Sequence, residues 1–317
     1  MQLPNKTINA EFQILGFSIF MSMPIVSFFV LLTIYIFNLL GNLLIIIITR
    51  ISSHLNKPMY FFICNLSIVD IGFTSVTLPK MLAIIASQKN TISFVGCITQ
   101  MYFFLAIGVT ESFLLALMSY DRYIAICRPL RYFVIMKTDD CTCMVLGCWL
   151  CGLLSVLLPV IIISRLPFCN SYTINHFFCD ISPVIQLSCS DIHNLEMFIF
   201  FTAIVVILGT FSIIVLSYML ILQNILHIPS STGKSKTFST CASHLTAVML
   251  YYGTIIFMYI RPKSKSNLDL DKQTSVFYSI ITPTLNPMVY SLRNREMKYA
   301  LIKLFRRQQY FSCNIKF

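Results

Sequence analysis

Charge is what this sequence has least of. Only 23 of its 317 residues are Lys or Arg and only 12 are Asp or Glu, 11% together, against roughly 25% in soluble domains. Hydrophobic residues make up 57%, and the mean hydropathy is +0.79. A water-soluble fold with so few charges would expose large apolar patches. Soluble enzyme, disordered chain and collagen-like fibre are excluded at once. Other absences narrow the choice. No basic stripe interleaves with stacking aromatics, so the formal charge of +11 does not point to nucleic acid. The two-residue alternation of a membrane barrel is missing. There is no repeat of 20–50 residues, and no inverted pair of halves with matching broken helices such as many transporters show. Residues 1–24 lack the basic region, apolar stretch and small-residue site of a cleavable signal.

What is present is a series of apolar runs near 25–49, 58–85, 97–123, 143–163, 195–226, 238–260 and 273–292. At 1.5 Å per residue each can cross a hydrocarbon core of roughly 30 Å. Lipid cannot satisfy backbone polar groups, so each run is expected to be a helix. The expected fold is all-α, a seven-helix membrane bundle over 25–292. Residues 1–24 then form an outer N-terminus and 293–317 a cytoplasmic tail that begins with a short amphipathic helix. Placing the N-terminus outside puts 15 Lys and Arg on the cytoplasmic side and 8 on the other, as the positive-inside bias requires. Asn5-Lys6-Thr7 is then a glycosylation sequon on the outer side, with Asn5 as acceptor.

Polar residues inside the runs are costly, and so mark function or pairing. Asp70 lies about 18 Å into the second run and Glu111 about 16 Å from the inner end of the third, at similar depth on neighbouring helices. Two carboxylates so placed share a proton or hold a cation such as sodium. Asn42 and Asn286 are candidates to add oxygens. A polar network that only fixes helix packing is the alternative. Asp121-Arg122-Tyr123 ends the third run, where Arg122 either pairs with Asp121 or turns into a cytoplasmic cavity. In Asn286-Pro287-Met288-Val289-Tyr290, Pro287 removes a helical hydrogen bond that Asn286 can replace. Of twelve cysteines, Cys97, Cys169, Cys179 and Cys189 fall on the outer side, where disulfides form. Their three pairings are open from sequence. A metal site built from His176, Cys179, Asp180, Cys189, Asp191 and His193 is the less favoured use of that loop.

Several stretches together resemble a known family. They are Gly41-Asn42, Pro58-Met59-Tyr60-Phe61-Phe62, Leu66-Ser67 with Asp70, and Met118 through Cys127 followed by Pro129-Leu130. Further on come Ser217-Tyr218, Lys236 through His244, and Pro283 through Asn294. In order and in place they resemble the olfactory receptors, a branch of the rhodopsin-like G-protein-coupled receptors. Departures are small: Thr237 stands where the family usually has Ala, Arg131 where it often has His, and Tyr251-Tyr252-Gly253 where it has Phe-Tyr-Gly. Phe104 holds the position at which amine receptors carry an Asp.

The resemblance implies that the protein is no enzyme. It implies instead binding of a small volatile odorant and activation of a stimulatory G protein that raises cyclic AMP, in the plasma membrane of olfactory sensory neurons. It implies the disulfide Cys97–Cys179, which leaves Cys169–Cys189. It places a pocket in the outer half of the bundle: Phe104, Leu105, Gly108, Val109 and Ser112 from the third helix; Thr202, Ala203 and Val206 from the fifth; Tyr252, Ile255, Ile256 and Tyr259 from the sixth; Ser275 and Ser279 from the seventh; and Ile181 as a cap. Such a lining suits a small neutral ligand with one oxygen. Asp121, Arg122, Tyr123, Tyr218, Asn286, Pro287 and Tyr290 carry activation and coupling. Two rival readings are a receptor of the same fold sensing a metabolite outside the nose, and a transporter or channel. No bound cofactor is expected beyond a sodium ion at Asp70 and Glu111.

Overall fold

The computed structural model describes residues 11–17, 22–169, 172–227, 230–260, 268–293 and 296–304. Prolines open three of its helices: α1 (Pro24–Ile51), α2 (Pro58–Ser87) and, after α3 (Phe94–Cys127), the short α4 (Pro129–Ile135). At a first helical position the missing N–H would have had no partner anyway. Ser93 caps α3 by accepting from Gly96 N at 3.2 Å. Gln88 ends α2 in the left-handed conformation, φ 54°. The chain continues through α5 (Thr138–Ser164), the short α6 (Ile181–Ile185), α7 (His193–Leu226) and α8 (Ser231–Ile260). The last expected span is α9 (Leu268–Val276), a π-helical turn (Phe277–Ile281) and α10 (Thr282–Arg293), joined without a break. Residues 296–304 are helical as well, and Lys57 Nζ and Tyr60 OH of α2 tie them down through Glu296 at 2.7–2.9 Å.

All seven apolar runs are thus helical. Helices α1, α2, α3, α5 and α7 are each long and apolar enough to cross a bilayer, and α8 carries the shorter apolar stretch His244–Ile256. The surface is inverted relative to a soluble protein. Val205 is 72% exposed and Leu154 64%, with Phe29, Leu40 and Leu216 similarly bare. Asn38, Asn42, Asp70, Glu111, Asn286 and His244 are buried. Apolar outside and polar inside is the arrangement lipid selects.

Helix α3 is central, touching α2, α5, α7 and α8. Its contact with α5 depends on Gly152. A Cβ there would overlap the Thr110 side chain and stand 2.7 Å from the Ala106 carbonyl oxygen.

Sequence patterning gave no sign of the small sheet at the end of the bundle where α2 gives way to α3. Strand β1 (Glu11–Ile14) pairs antiparallel with β2 (Thr91–Ser93) and parallel with β3 (Thr173–Ile174). Runs of two to four residues are too short for a period of two to register. Phe12, fully buried, fastens the sheet by packing on Phe94, Phe168 and Tyr172 at ring distances of 5.5–6.0 Å.

Because backbone cannot yield as a flexible side chain does, Gly152→Ala should separate α3 from α5 and destabilise the protein by about 1–3 kcal/mol. A lowered thermal midpoint in detergent, with less protein at the cell surface, is the expected result.

Candidate functional site

Beneath the outer loops lies a cavity of about 160 Å³ between α3, α5, α7, α8 and the π turn. Of the residues expected to line it, Phe104, Leu105, Gly108, Val109, Ser112, Ile181, Thr202, Ala203, Val206 and Ile255 do so. Phe73, Ser155, Val156, Pro159, Asp180, Ile199, Ile207, Tyr251 and Tyr278 line it too.

Tyr252 is not in the lining. Tyr251 and Ile255 are four residues apart and share a face of α8, whereas Tyr252 stands about 100° round. Its hydroxyl donates to Thr210 Oγ1 of α7 at 2.8 Å. Ser275 and Ser279 are turned to other partners: Ser275 Oγ meets His176 Nε2 at 3.2 Å, and Ser279 Oγ donates to the Ser275 carbonyl at 2.5 Å. Ile256 packs on the main core instead of the cavity. The side chain of Tyr259 and all of Asn5 lie outside the described residues. No sequence pattern distinguished Tyr251 from Tyr252, because one residue of helical phase decides between them.

The floor of the cavity is polar. Tyr251 OH donates to the Gly108 carbonyl at 2.6 Å and lies 2.7 Å from Ser112 Oγ. The roof is the loop that leaves α5. Cys97 at the top of α3 is bonded to Cys179, and Cys169 to Cys189, the pairing that the resemblance implied. With Cys179 and Cys189 bonded in this way, the metal arrangement weighed for the loop loses two of its ligands. Gln100 of α3 braces the same spot, accepting from Cys179 N at 3.0 Å and donating to the Val76 carbonyl at 2.8 Å.

His176 sits under this roof, 3% exposed. Its Nδ1 accepts from Phe178 N at 3.4 Å, so the neutral ring carries its hydrogen on Nε2 and donates to Ser275. Burial and the nearby Lys272 ammonium push its pKa down to about 3. Lys272 in turn donates to the Gly16 carbonyl at 3.1 Å, joining α9 to the N-terminal segment.

Deeper in the bundle is the carboxylate layer. Asp70 and Glu111 are 1% and 2% exposed and near enough to feel each other's charge. Asn286 Nδ2 donates to Asp70 Oδ1 at 2.9 Å. Asn42 Nδ2 donates to the Asn38 carbonyl at 3.1 Å, and Thr74 Oγ1 to Asn38 Oδ1 at 2.8 Å. Asp70 Oδ2, Asn42 Oδ1, Asn286 Oδ1 and Tyr290 OH are buried with no hydrogen-bond partner among the described residues.

At the inner end, Arg122 Nε is 3.8 Å from Asp121 Oδ2, and Asp121 Oδ1 accepts from Tyr132 OH of α4 at 2.9 Å. One turn deeper, His244 of α8 bridges two helices. Its Nε2 meets the Leu115 carbonyl at 3.1 Å and its Nδ1 meets Tyr218 OH at 2.7 Å. A carbonyl only accepts, so the ring hydrogen is on Nε2 and Tyr218 donates to Nδ1. The sequence placed His244 within a family stretch without giving it this role; a buried histidine shows no signature of its own in one sequence.

Folded protein keeps His176 neutral, whereas an unfolded chain takes up a proton below about pH 6.5. Its contribution is therefore full above that pH and lost as pH falls from about 6.5 towards 3. The loss should reach about 2 kcal/mol at pH 5. Thermal midpoints of the detergent-solubilised protein at pH 7.5 and 5 should show this drop, and His176→Gln should flatten it.

The matches to known proteins agree with this geometry. The family model described as olfactory receptor matches residues 31–308. Human olfactory receptor 6N1 is 47% identical over 307 residues, 97% of this chain and 98% of that protein. Rat olfactory receptor 287 is 48% identical over 297 residues, covering 94% and 96%. Human olfactory receptor 6F1 is 44% identical over 303 residues, covering 96% and 98%. With a matching model over most of its length, a multi-helix apolar bundle and a cavity beneath a disulfide-pinned loop, this multi-pass membrane protein belongs to the olfactory receptor family.

Proposed function

We propose that the protein is an odorant receptor of the plasma membrane of olfactory sensory neurons, coupled to a stimulatory G protein that raises cyclic AMP. Residues 1–24 would face outward and 293–317 the cytosol. The observation that carries the reading is the cavity. It is small, mostly apolar, roofed by the Cys179 loop and floored by Ser112 and Tyr251. About 150 Å³ is enough to hold a benzene-sized ligand, so a compact volatile molecule fits. Coupling would pass through Asp121, Arg122, Tyr123, Tyr218 and the Asn286-Pro287-Tyr290 segment. The Tyr218–His244–Leu115 bridge supports this by joining α7, α8 and α3 below the cavity.

The carboxylate layer fits a sodium ion. Asp70 Oδ2, Asn42 Oδ1 and Asn286 Oδ1 are buried acceptors that lack a donor among the described residues, and Glu111 adds a second carboxylate beside them. A small cation with a taste for oxygen would satisfy all of them and offset the repulsion between the two acids. A resident sodium ion would supply that charge, and Asp70 and Glu111 would hold it.

An odorant panel with a cyclic AMP readout in transfected cells tests the receptor reading. Dose-dependent responses are expected in wild type and should vanish in Arg122→Ala at equal surface expression. Glu111→Gln keeps the side-chain shape and removes one potential charge. Its basal and evoked responses should shift by about 5- to 150-fold in apparent affinity or sodium dependence; curves that superimpose on wild type across sodium concentrations would leave the layer a packing element only.

A further inference from the structure

We infer that the cavity selects small ligands that donate a hydrogen bond, alcohols and phenols, over ketones, aldehydes and ethers of the same skeleton. The inference rests on the odorant-receptor reading and adds to it the chemical class of ligand. It comes from following each hydroxyl hydrogen around the cavity wall.

Thr202 Oγ1 donates to the Phe198 carbonyl of its own helix at 2.8 Å, and Ser155 Oγ to the Gly152 carbonyl at 3.3 Å. Both hydrogens point along the helix backbone. On the floor, Tyr251 OH has one hydrogen and the Gly108 carbonyl at 2.6 Å takes it. Ser112 Oγ also has one hydrogen. Its neighbours are Tyr251 OH at 2.7 Å, the Gly108 carbonyl at 3.2 Å and the hydroxyl of Tyr252, whose own hydrogen goes to Thr210 Oγ1. Whichever it chooses, that hydrogen is used within the protein. Two hydrogens and three short contacts leave no floor hydrogen over, while Ser112 Oγ keeps acceptor capacity. Asp180 also lines the cavity, and its Oδ1 accepts from Ile181 N at 2.8 Å.

A ligand O–H can therefore dock on Ser112 Oγ without disturbing the floor. A ligand carbonyl brings lone pairs to lone pairs, and gains a bond only after Ser112 gives up its own. The exchange of a made hydrogen bond for a new one sets the discrimination at about two- to tenfold. The apolar walls, with Phe73, Phe104 and Val109 among them, do not distinguish a hydroxyl from a carbonyl on the same carbon frame, so the floor decides.

The test uses the full chain in transfected cells, with cyclic AMP read at matched surface expression. The probes are matched pairs of six to ten heavy atoms, cyclohexanol with cyclohexanone and phenol with anisole among them. In wild type the hydroxyl member of each active pair should be about two- to tenfold more potent. In Ser112→Ala the hydroxyl members should weaken until the gap closes, with the ketones and ethers unchanged. Should Ser112→Ala fail to reach the surface, Ser112→Cys takes its place: a thiol sulfur is a weak acceptor, so the hydroxyl members should weaken and the gap should again narrow. Ketones or ethers that equal or exceed their hydroxyl partners in wild type would overturn the inference and leave the receptor reading standing. So would a hydroxyl preference that survives both substitutions. Silence across the panel in well-expressed protein, with no thermal shift of purified protein by any probe, would overturn the receptor reading and this inference with it.

Discussion

Everything in this molecule follows from a solvent that offers no hydrogen bonds. Backbone groups must find partners along their own segment, which makes each apolar run a helix. Side-chain polarity must likewise be matched inside the protein, and that turns the bundle inside out. Asn38, Thr74, Asp70 and Asn286 meet one another across α1, α2 and α10. His244 meets Tyr218 and the Leu115 carbonyl across α8, α7 and α3. Apolar burial gives helices in lipid little reason to prefer one neighbour over another. Those few polar bonds, together with close approaches such as Gly152 on Ala106, specify which helices touch.

The two ends of the bundle solve different problems. At the end that carries the sheet, order comes from covalent and aromatic fastening: Cys97–Cys179, Cys169–Cys189 and the Phe12 cluster. At the other end a weak 3.8 Å approach between Arg122 and Asp121, with Arg122 Nε and Asp121 Oδ2 lacking a hydrogen-bond partner among the described residues, leaves a charged pair ready to take other partners. A rigid roof over the cavity and loosely held charges at the base are what a protein needs to receive a small molecule at one end and report it at the other.

Much of this was legible in the sequence, for physical reasons that can be named. Twenty-residue apolar runs have no stable alternative to helix in lipid, so the helices could be read directly. Asp70 and Glu111 stood out because charge is rare there, and residue counting alone matched their depths. Ten of the fifteen residues assigned to the pocket do line the cavity, because motifs fix helical phase well in α3 and α7. Phase was lost in α8, where Tyr251 and Tyr252 are adjacent and chemically alike, and in the last span, where Ser279 falls inside the π turn Phe277–Ile281 and Ser275 meets His176. The sheet was invisible: its strands take their order from partners distant in sequence, not from their own composition.

That sheet has a consequence for how the protein is made. Strand β1 leaves the ribosome ahead of the helices, yet its two partners are residues 91–93 and 173–174. The first partner follows two helices later; the second arrives only after α5. Phe12 waits just as long for Phe168, and Cys97 for Cys179, 82 residues further on. The roof of the cavity is therefore a late event in biosynthesis, closed from three remote pieces of chain. A nascent chain that stops short of Cys179 has Ser112 of the floor on α3 but neither the disulfide-pinned roof nor Tyr251.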